Sequence, residues 1–311
     1  MTSNTEIPAT MKAICLHPPG GVDAVSFDEV ATPIPAEGEV LVRVHAAALT
    51  RDELDWPVDR LPAIPSYELS GVVVTAGDGP FEAGQAVYAL TDFGRDGVAA
   101  EYTVVPVGEL ALKPDSLSHV EAAALPLPAL SAMQGLFDHG RLVKNERVLI
   151  HGGAGGVGGY AVQLARLHDA YVIATASTGR VATVHELGAD EVVDHTTSDF
   201  TTIEPVDLVF DTAGGDRLTR SVDVLERGGR LVSVAEEPPR EEYERAGVEG
   251  SYYLVASRPD QLAELTRLVD KGLLRVVVDR IYPLGDAGRA FEHLQKAGGR
   301  GKVVLSVGDD T

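Results

Sequence analysis

The feature that most constrains this chain is a glycine run set between a strand and a helix. Arg147-Val-Leu-Ile-His151 reads as a short buried strand. Gly156 to His168 reads as a helix with Val157, Ala161, Leu164 and Ala165 on one face. Between them stands Gly153-Ala154-Gly155-Gly156-Val157-Gly158, a G-x-G-x-x-G run in the strand-to-helix context that the motif requires. Gly155 lets the backbone approach a pyrophosphate, and Gly158 lets the helix pack on the strand. The helix N-terminus adds N–H groups and the positive end of its dipole. Against a purely structural glycine turn, this context favours dinucleotide binding.

The rest of the chain is organised around that unit. Ala170–Thr175, Glu191–Val193, Asp207–Phe210 and Arg230–Val234 read as further strands, and Arg180–Leu187 as a helix stopped by Gly188. Alternating strands and helices predict a parallel sheet covered on both faces. Residues 11–124 read differently. Runs such as Glu39–His45 and Gly71–Thr75 alternate in polarity between turns marked by Pro33, Pro35 and Gly38 and by Gly77, Asp78, Gly79 and Pro80. Short strands at close spacing predict a small barrel. Helical signals cover His119–Leu127 and Ala129–Phe137. After Ser257 come a helix Pro259–Asp270, β-like runs at Arg275–Asp279 and Lys302–Leu305, and a helix Asp286–Lys296. That tail is too small to stand alone, so residues 257–311 are expected to rejoin 11–124. The stretch 125–256 is then an inserted Rossmann domain. Met1–Thr10 lacks the regions of a signal peptide and reads as a loose tail.

Composition narrows the function. A net charge of −21 over 311 residues argues against nucleic acid and against anionic lipid. No apolar run is long enough to span a membrane. Cys15 is the only cysteine, which suits a reducing cytosol and excludes a four-cysteine zinc site. The nine histidines show no metal spacing; His45, His119 and His293 read as solvated or capped residues. The acids Glu236, Glu237, Glu241 and Glu242 read as an exposed loop.

The second strand of the α/β region bears on the cofactor. NAD enzymes usually end it with an acid that holds the ribose 2′-hydroxyl. Here the segment reads Ala174-Thr-Ala-Ser-Thr-Gly-Arg180, with a cation and hydroxyls but no carboxylate. These suit the 2′-phosphate of NADPH. The alternative is that Arg180 merely starts a solvated helix.

Several motifs together resemble the zinc-free quinone oxidoreductases of the medium-chain dehydrogenase/reductase superfamily. They are His151–Gly158 with Ala161-Val-Gln-Leu-Ala165, Ala122-Ala-Ala-Leu-Pro126, Leu187-Gly-Ala-Asp-Glu-Val192, Phe210-Asp-Thr-Ala-Gly214 and Gly301-Lys-Val-Val-Leu305. The match runs from residue 11 to about 307. It implies an α/β protein in which a GroES-like β-barrel catalytic domain carries an inserted, doubly wound Rossmann domain. It also implies NADPH, a small-molecule substrate, a cytoplasmic enzyme and commonly a homodimer. Ser177, Arg180 and His195 are expected to converge on the 2′-phosphate, in a site completed by Ser131, Gly153–Gly158, Thr212, Ala235, Leu254 and Lys302. Thr50, Asp55, Trp56 and Phe93 are assigned to the substrate pocket.

What the sequence lacks shapes the chemistry. Zinc members hold catalytic zinc with a cysteine, a histidine in Gly-His-Glu, and a further cysteine or acid. The matching segment here is Ser66-Tyr67-Glu68, and the cysteine position falls in Leu49-Thr50-Arg51. No metal site is expected, and Cys15 reads as a small core residue. Without a Lewis acid, hydride transfer suits an acceptor that is already activated: an enone, an enal or a quinone. Tyr67 is the first candidate for proton donor. A packed tyrosine and a proton from solvent are the alternatives. Thr50 stands where many relatives carry Asn. An enoyl-thioester reductase and a nucleotide-binding protein with little turnover are the competing functions.

Overall fold

The computed structural model describes residues 7–56, 61–75, 79–296 and 301–308. The first six residues of the expected tail lie outside that set, as do Gly77 and Asp78 of the second expected turn. The chain divides into two compact units. One comprises Met1–Pro126, Ser257–Asp270 and Val276–Thr311; the other comprises Leu127–Ala256 and Lys271–Arg275.

The first unit opens with β1 (Thr10–Leu16) and β2 (Val25–Ala31), an antiparallel pair. It continues through β3 (Glu39–Leu49), β4 (Glu68–Thr75), β5 (Ala86–Leu90), β6 (Tyr102–Pro106), β7 (Leu110–Leu112) and α1 (His119–Ala123). Ser118 and Glu121 form a capping box that fixes the start of α1. On β3, Val40, Val42 and Val44 face one core with Ala47 and Leu49, while Ala46 and Ala48 face another with Ala123, Ala124 and Val304. The phase changes because the register shifts between Val44 and Ala46, and one extra residue turns each later side chain to the other face. Each valine or leucine so buried contributes about 1.5–3 kcal/mol.

The second unit begins with α2 (Pro126–Met133), which leads into a π-helical turn at Gln134–His139. Its strands are β8 (Arg147–His151), β9 (Tyr171–Ala176), β10 (Glu191–Asp194), β11 (Val206–Asp211), β12 (Leu225–Ser233) and β13 (Glu249–Tyr252). They alternate with α3 (Gly156–Leu167), α4 (Val181–Glu186), α5 (Asp216–Arg220) and α6 (Arg240–Ala246). The sheet is parallel in the order β10-β9-β8-β11-β12-β13, so the direction of winding reverses between β8 and β11. Ligands of doubly wound sheets bind outside the carboxyl ends of the strands at such a point. Val148 to His151 are buried in succession, as expected for a strand covered on both faces.

The chain returns to the first unit with α7 (Pro259–Asp270), β14 (Val278–Pro283), α8 (Ala287–Lys296) and β15 (Lys302–Ser306). The larger sheet there runs β14-β15-β3-β4-β5-β7, with β6 also on β3.

Several expected boundaries are corrected. The helix expected over His119–Leu127 stops at Ala123, because Pro126 disfavours helical backbone at Leu125 and starts the next helix instead. The strand expected at Arg275–Asp279 begins only at Val278. Residues 271–275 belong to the second unit rather than to the tail. Gln163 holds them there, its amide donating to Arg275 O at 3.2 Å and its carbonyl accepting from Arg275 N at 2.8 Å. Among the described residues no helix is long and apolar enough to cross a membrane.

Candidate active site

In the second unit, backbone geometry builds a cradle after β8. Gly152 takes φ +77°, and Gly155 N donates to Gly152 O at 2.8 Å, closing a tight turn. A β-carbon on Gly158 would fall inside the contact distance of Gly152 O, and one on Gly153 would lie 2.8 Å from the Ala174 methyl. Glycine is therefore required at both places. Gly155 is the N-cap of α3, and no side chain caps that helix. The N–H groups of its first turn are left without a side-chain cap, as an anion site needs. The cradle fits the pyrophosphate of a dinucleotide.

Buried polar side chains hold the cradle from below. Thr175 Oγ1 accepts from Gly152 N at 3.1 Å, and Thr212 Oγ1 donates to His151 O at 2.7 Å. The His151 ring lies between Thr175 Oγ1 at 3.4 Å and Ser221 Oγ at 3.0 Å. Burial pushes its pKa down to about 3, so it is neutral. Asp211, at the end of β11, accepts from Gly214 N at 3.0 Å and from Ser233 Oγ at 2.9 Å. Ser233 Oγ accepts in turn from Ala235 N at 3.1 Å and Glu236 N at 3.2 Å. One carboxylate and one hydroxyl thus tie the loops after β11 and β12, placing Thr212 and Ala235. Burial raises the Asp211 pKa against these donors. Sequence reasoning quoted Asp211 only within a motif and missed Ser233.

The loops after β9 and β10 are brought together. Ser177 and Arg180 lie on the first, His195 on the second, and His195 N donates to Ala176 O at 3.0 Å. Thr178 and Thr196 bridge the loops, hydroxyl to hydroxyl at 2.7 Å. An acid is present, but at the end of β10: Asp194 accepts from Thr196 Oγ1 at 2.6 Å. The Thr178 and Thr196 hydroxyls hold its pKa below the usual carboxylate range. Ser131 Oγ donates back to Leu127 O at 2.7 Å, and its carbonyl accepts from the Tyr253 hydroxyl. Leu254 is exposed. Glu236 is more than loop solvation, since its carboxylate accepts from Gly215 N.

The first unit holds a cluster of a different kind. β15 pairs with β3 so that Val303 faces Leu49, and β3 pairs with β4 so that Ala48 faces Glu68. That register brings Lys302, Thr50 and Glu68 together from three distant parts of the sequence. Lys302 Nζ donates to Thr50 Oγ1 at 2.9 Å and pairs with Glu68. Lys302 and Glu68 are 6% and 1% exposed, and Thr50 is half-buried. Below Thr50 lies Glu53, 5% exposed, whose carboxylate accepts from Thr50 N at 2.9 Å and from Ser66 N. Burial pushes the Glu53 pKa up to about 7 against those donors and Lys302.

Ser66 takes φ +70°, uncommon without glycine, and its hydroxyl donates to Ala48 O at 2.9 Å. Its carbonyl accepts from Val98 N at 2.7 Å. These bonds fix the backbone on which Tyr67 stands. Tyr67 joins Trp56 and Phe93 in an aromatic trio with ring centroids 5.1–6.0 Å apart. Asp55 is exposed on its turn. Of the expected pocket residues, Trp56 and Phe93 therefore meet at Tyr67, and Thr50 meets Lys302. Glu53 was missed; an acid in a charged turn carries no local sign of burial.

The donor set does not fit zinc. The expected match puts Tyr67 at the histidine position and Leu49-Thr50-Arg51 at the cysteine position, and among the described residues no three His, Cys, Asp or Glu side chains form a group able to hold a metal. Cys15 is buried on β1 facing Ser26. The remaining histidines need a correction. His45 stacks on His119 at 4.5 Å, His119 Nδ1 lies 2.8 Å from Ser70 Oγ, and burial pushes the His119 pKa down to about 4. His293 pairs with Asp279 at 3.0 Å.

Comparison with known proteins agrees with this architecture. Residues 36–115 match the alcohol dehydrogenase GroES-like domain, and residues 187–305 match a family described as zinc-binding dehydrogenase. The chain is 33% identical to the probable zinc-binding oxidoreductase, mitochondrial, of Arthroderma benhamiae, over 99% of this chain and 100% of that one. It is 33% identical to the NADPH-dependent alkenal/one oxidoreductase, chloroplastic, of Arabidopsis thaliana, over 98% of this chain and 82% of that one. The solved quinone oxidoreductase of Coxiella burnetii superposes with a TM-score of 0.90 at 31% identity, covering 96% of this chain and 100% of that one. The chain belongs to the medium-chain dehydrogenase/reductase family, in its quinone-oxidoreductase-like branch.

Proposed function

We propose that this protein is an NADPH-dependent reductase of activated acceptors, enals, enones or quinones, working without zinc. The observation that carries the acceptor class is that no three His, Cys, Asp or Glu side chains among the described residues group as metal ligands, with Tyr67 and Leu49-Thr50-Arg51 in the segments matched to the ligands. Without a Lewis acid, an unactivated carbonyl lacks a partner for the alkoxide it would become. A conjugated acceptor spreads that charge over an enolate or a hydroquinone anion.

The cofactor supplies the hydride. The chain binds and orients the reactants. The β8–α3 turn takes the pyrophosphate, and the loops tied by Asp211 and Ser233 position the nicotinamide half. Ser177, Arg180 and His195 take the 2′-phosphate, on the side of the sheet where β9 ends without an acid. Trp56, Tyr67 and Phe93 form an apolar wall suited to a flat conjugated acceptor. Ser131 and Leu254 complete the cofactor site, and Asp55 lies at the pocket's outer turn. The outer edge of β13, with Tyr252 exposed, suits a homodimer contact. A single cysteine suits a reducing compartment such as the cytoplasm.

The test is NADPH oxidation with a quinone, an enone and a crotonyl thioester compared side by side. Turnover with the quinone or the enone, at least tenfold above the thioester in kcat/KM, is expected. A preference for the thioester moves the assignment to biosynthetic enoyl reduction. No turnover on any of them refutes the reductase.

A further inference from the structure

We infer that Thr50 and Lys302 form the proton-donating pair of this enzyme, with the buried ammonium in the part that zinc plays in metal-dependent relatives. The inference rests on the reductase reading above and adds to it the donor of the proton.

Four observations carry it. First, an ammonium has only donors, so Thr50 Oγ1 must accept from Lys302 Nζ at 2.9 Å. The threonine's own O–H is then turned to donate elsewhere. Second, Glu53 does not take that proton, because the Thr50 contact on its carboxylate comes from the backbone N. Third, the cluster is graded in exposure. Lys302, Glu68 and Glu53 are buried, and Thr50 alone is half-buried, so the hydroxyl is the member that an acceptor can reach. Fourth, the resemblance matches the segment Leu49-Thr50-Arg51 to a metal-ligand cysteine and Tyr67, the residue before Glu68, to a metal-ligand histidine. Glu68 is the carboxylate paired with Lys302 Nζ. Glu53, pushed toward neutrality by burial, does not add a second full negative charge beside it.

The step balances as follows. The acceptor's β-carbon takes a hydride, the C=C pair shifts to join the α-carbon and the carbonyl carbon, and the C=O pair moves onto the oxygen. That oxygen takes the Thr50 hydroxyl proton as Thr50 Oγ1 takes a proton from Lys302 Nζ. The products are an enol, a restored threonine and a neutral lysine, which recovers its proton from water. The enol tautomerises to the saturated carbonyl compound. The acceptor is reduced by two electrons, and NADPH is oxidised by two.

The experiment compares wild type with Thr50→Val, Thr50→Ser, and the double variant Lys302→Met with Glu68→Gln. Saturating enone, NADPH Kd and the solvent deuterium effect on kcat are measured for each. Thr50→Val leaves the ion pair in place, so folding is not at stake there. The double variant removes both charges, so none is left buried alone. Loss of kcat by about 100-fold is expected in Thr50→Val and in the double variant, the usual scale of a general acid. Thr50→Ser should stay within about threefold of wild type, since it keeps the hydroxyl. NADPH Kd should shift by less than about threefold throughout, as expected of a contact made in the transition state. The solvent isotope effect of wild type should disappear in Thr50→Val. Wild-type turnover in Thr50→Val overturns the inference and leaves the reductase standing. So does a tenfold loss of NADPH affinity at unchanged kcat in the double variant, which makes Lys302 a cofactor ligand. A wild type inactive on every acceptor takes down both.

Discussion

The two units organise their buried polar groups by different rules. In the second, side chains bond to loop backbone: Thr175 accepts from Gly152 N, Ser233 from Ala235 N and Glu236 N, and Asp211 from Gly214 N. In the first, an ion pair does the holding: Lys302 and Glu68 are buried together and present one hydroxyl. A backbone cradle fails when a single methyl enters it. A side-chain cluster fails when a charge or a hydroxyl is removed. The contrast also orders the expected effects of substitution.

The largest effect belongs to the cradle. Gly158→Val drives a side chain into Gly152 O. NADPH binding by fluorescence titration should weaken by more than about 100-fold, close to 3 kcal/mol. Affinity within threefold of wild type would show that the turn is not the pyrophosphate site.

Next comes Arg180→Ala. Arginine can give a phosphate two charge-assisted bonds of roughly 1.5–3 kcal/mol each. NADPH should weaken by about one to two orders of magnitude while NADH stays nearly unchanged. Equal weakening of both cofactors, or a wild type that prefers NADH, would contradict the assignment of the loops after β9 and β10.

The pH dependence of stability sets the two regions against each other. His151 has its pKa lowered from 6.5 to about 3 in the folded chain. Between those values the unfolded chain binds the extra proton, so this contribution is lost as pH falls below about 6.5. Glu53 is the reverse, raised from 4.5 to about 7. There the folded chain holds the extra proton, so stability declines as pH climbs from about 4.5 to about 7, by on the order of 3 kcal/mol. Glu53→Gln should flatten that decline in urea melts at pH 5 and pH 8, whatever it does to absolute stability. An unaltered difference between the two pH values would mean that Glu53 ionises normally.

Tyr67→Phe should have the smallest effect, within about threefold on kcat, if the tyrosine is a wall and Thr50 the donor. A hundredfold loss in that variant would restore Tyr67 as the acid.

The contrast between the units also explains what could be read beforehand. The cradle was legible because its signal is local: Gly153, Gly155 and Gly158 sit between an apolar strand and a helix, and each glycine has a steric reason. The missing acid after β9 was equally local. The Lys302–Thr50–Glu68 cluster was not legible as a cluster, because it exists only through the β15–β3–β4 register. Lys302 and Thr50 are 252 residues apart in sequence. Strand β13 escaped notice because Glu249 and Gly250 are exposed and carry no apolar alternation. The capture of residues 271–275 by Gln163 depends on one amide whose partners are chosen by packing.

The central claim is hydride transfer from NADPH to an activated acceptor with no metal in the site. The most direct measurement is the rate of NADPH-dependent enone or quinone reduction before and after exhaustive chelation, with zinc per chain measured on the same sample. The account predicts zinc well below one per chain and an unchanged rate after chelation. Zinc at one per chain, with activity lost on chelation and restored by adding zinc back, would contradict it.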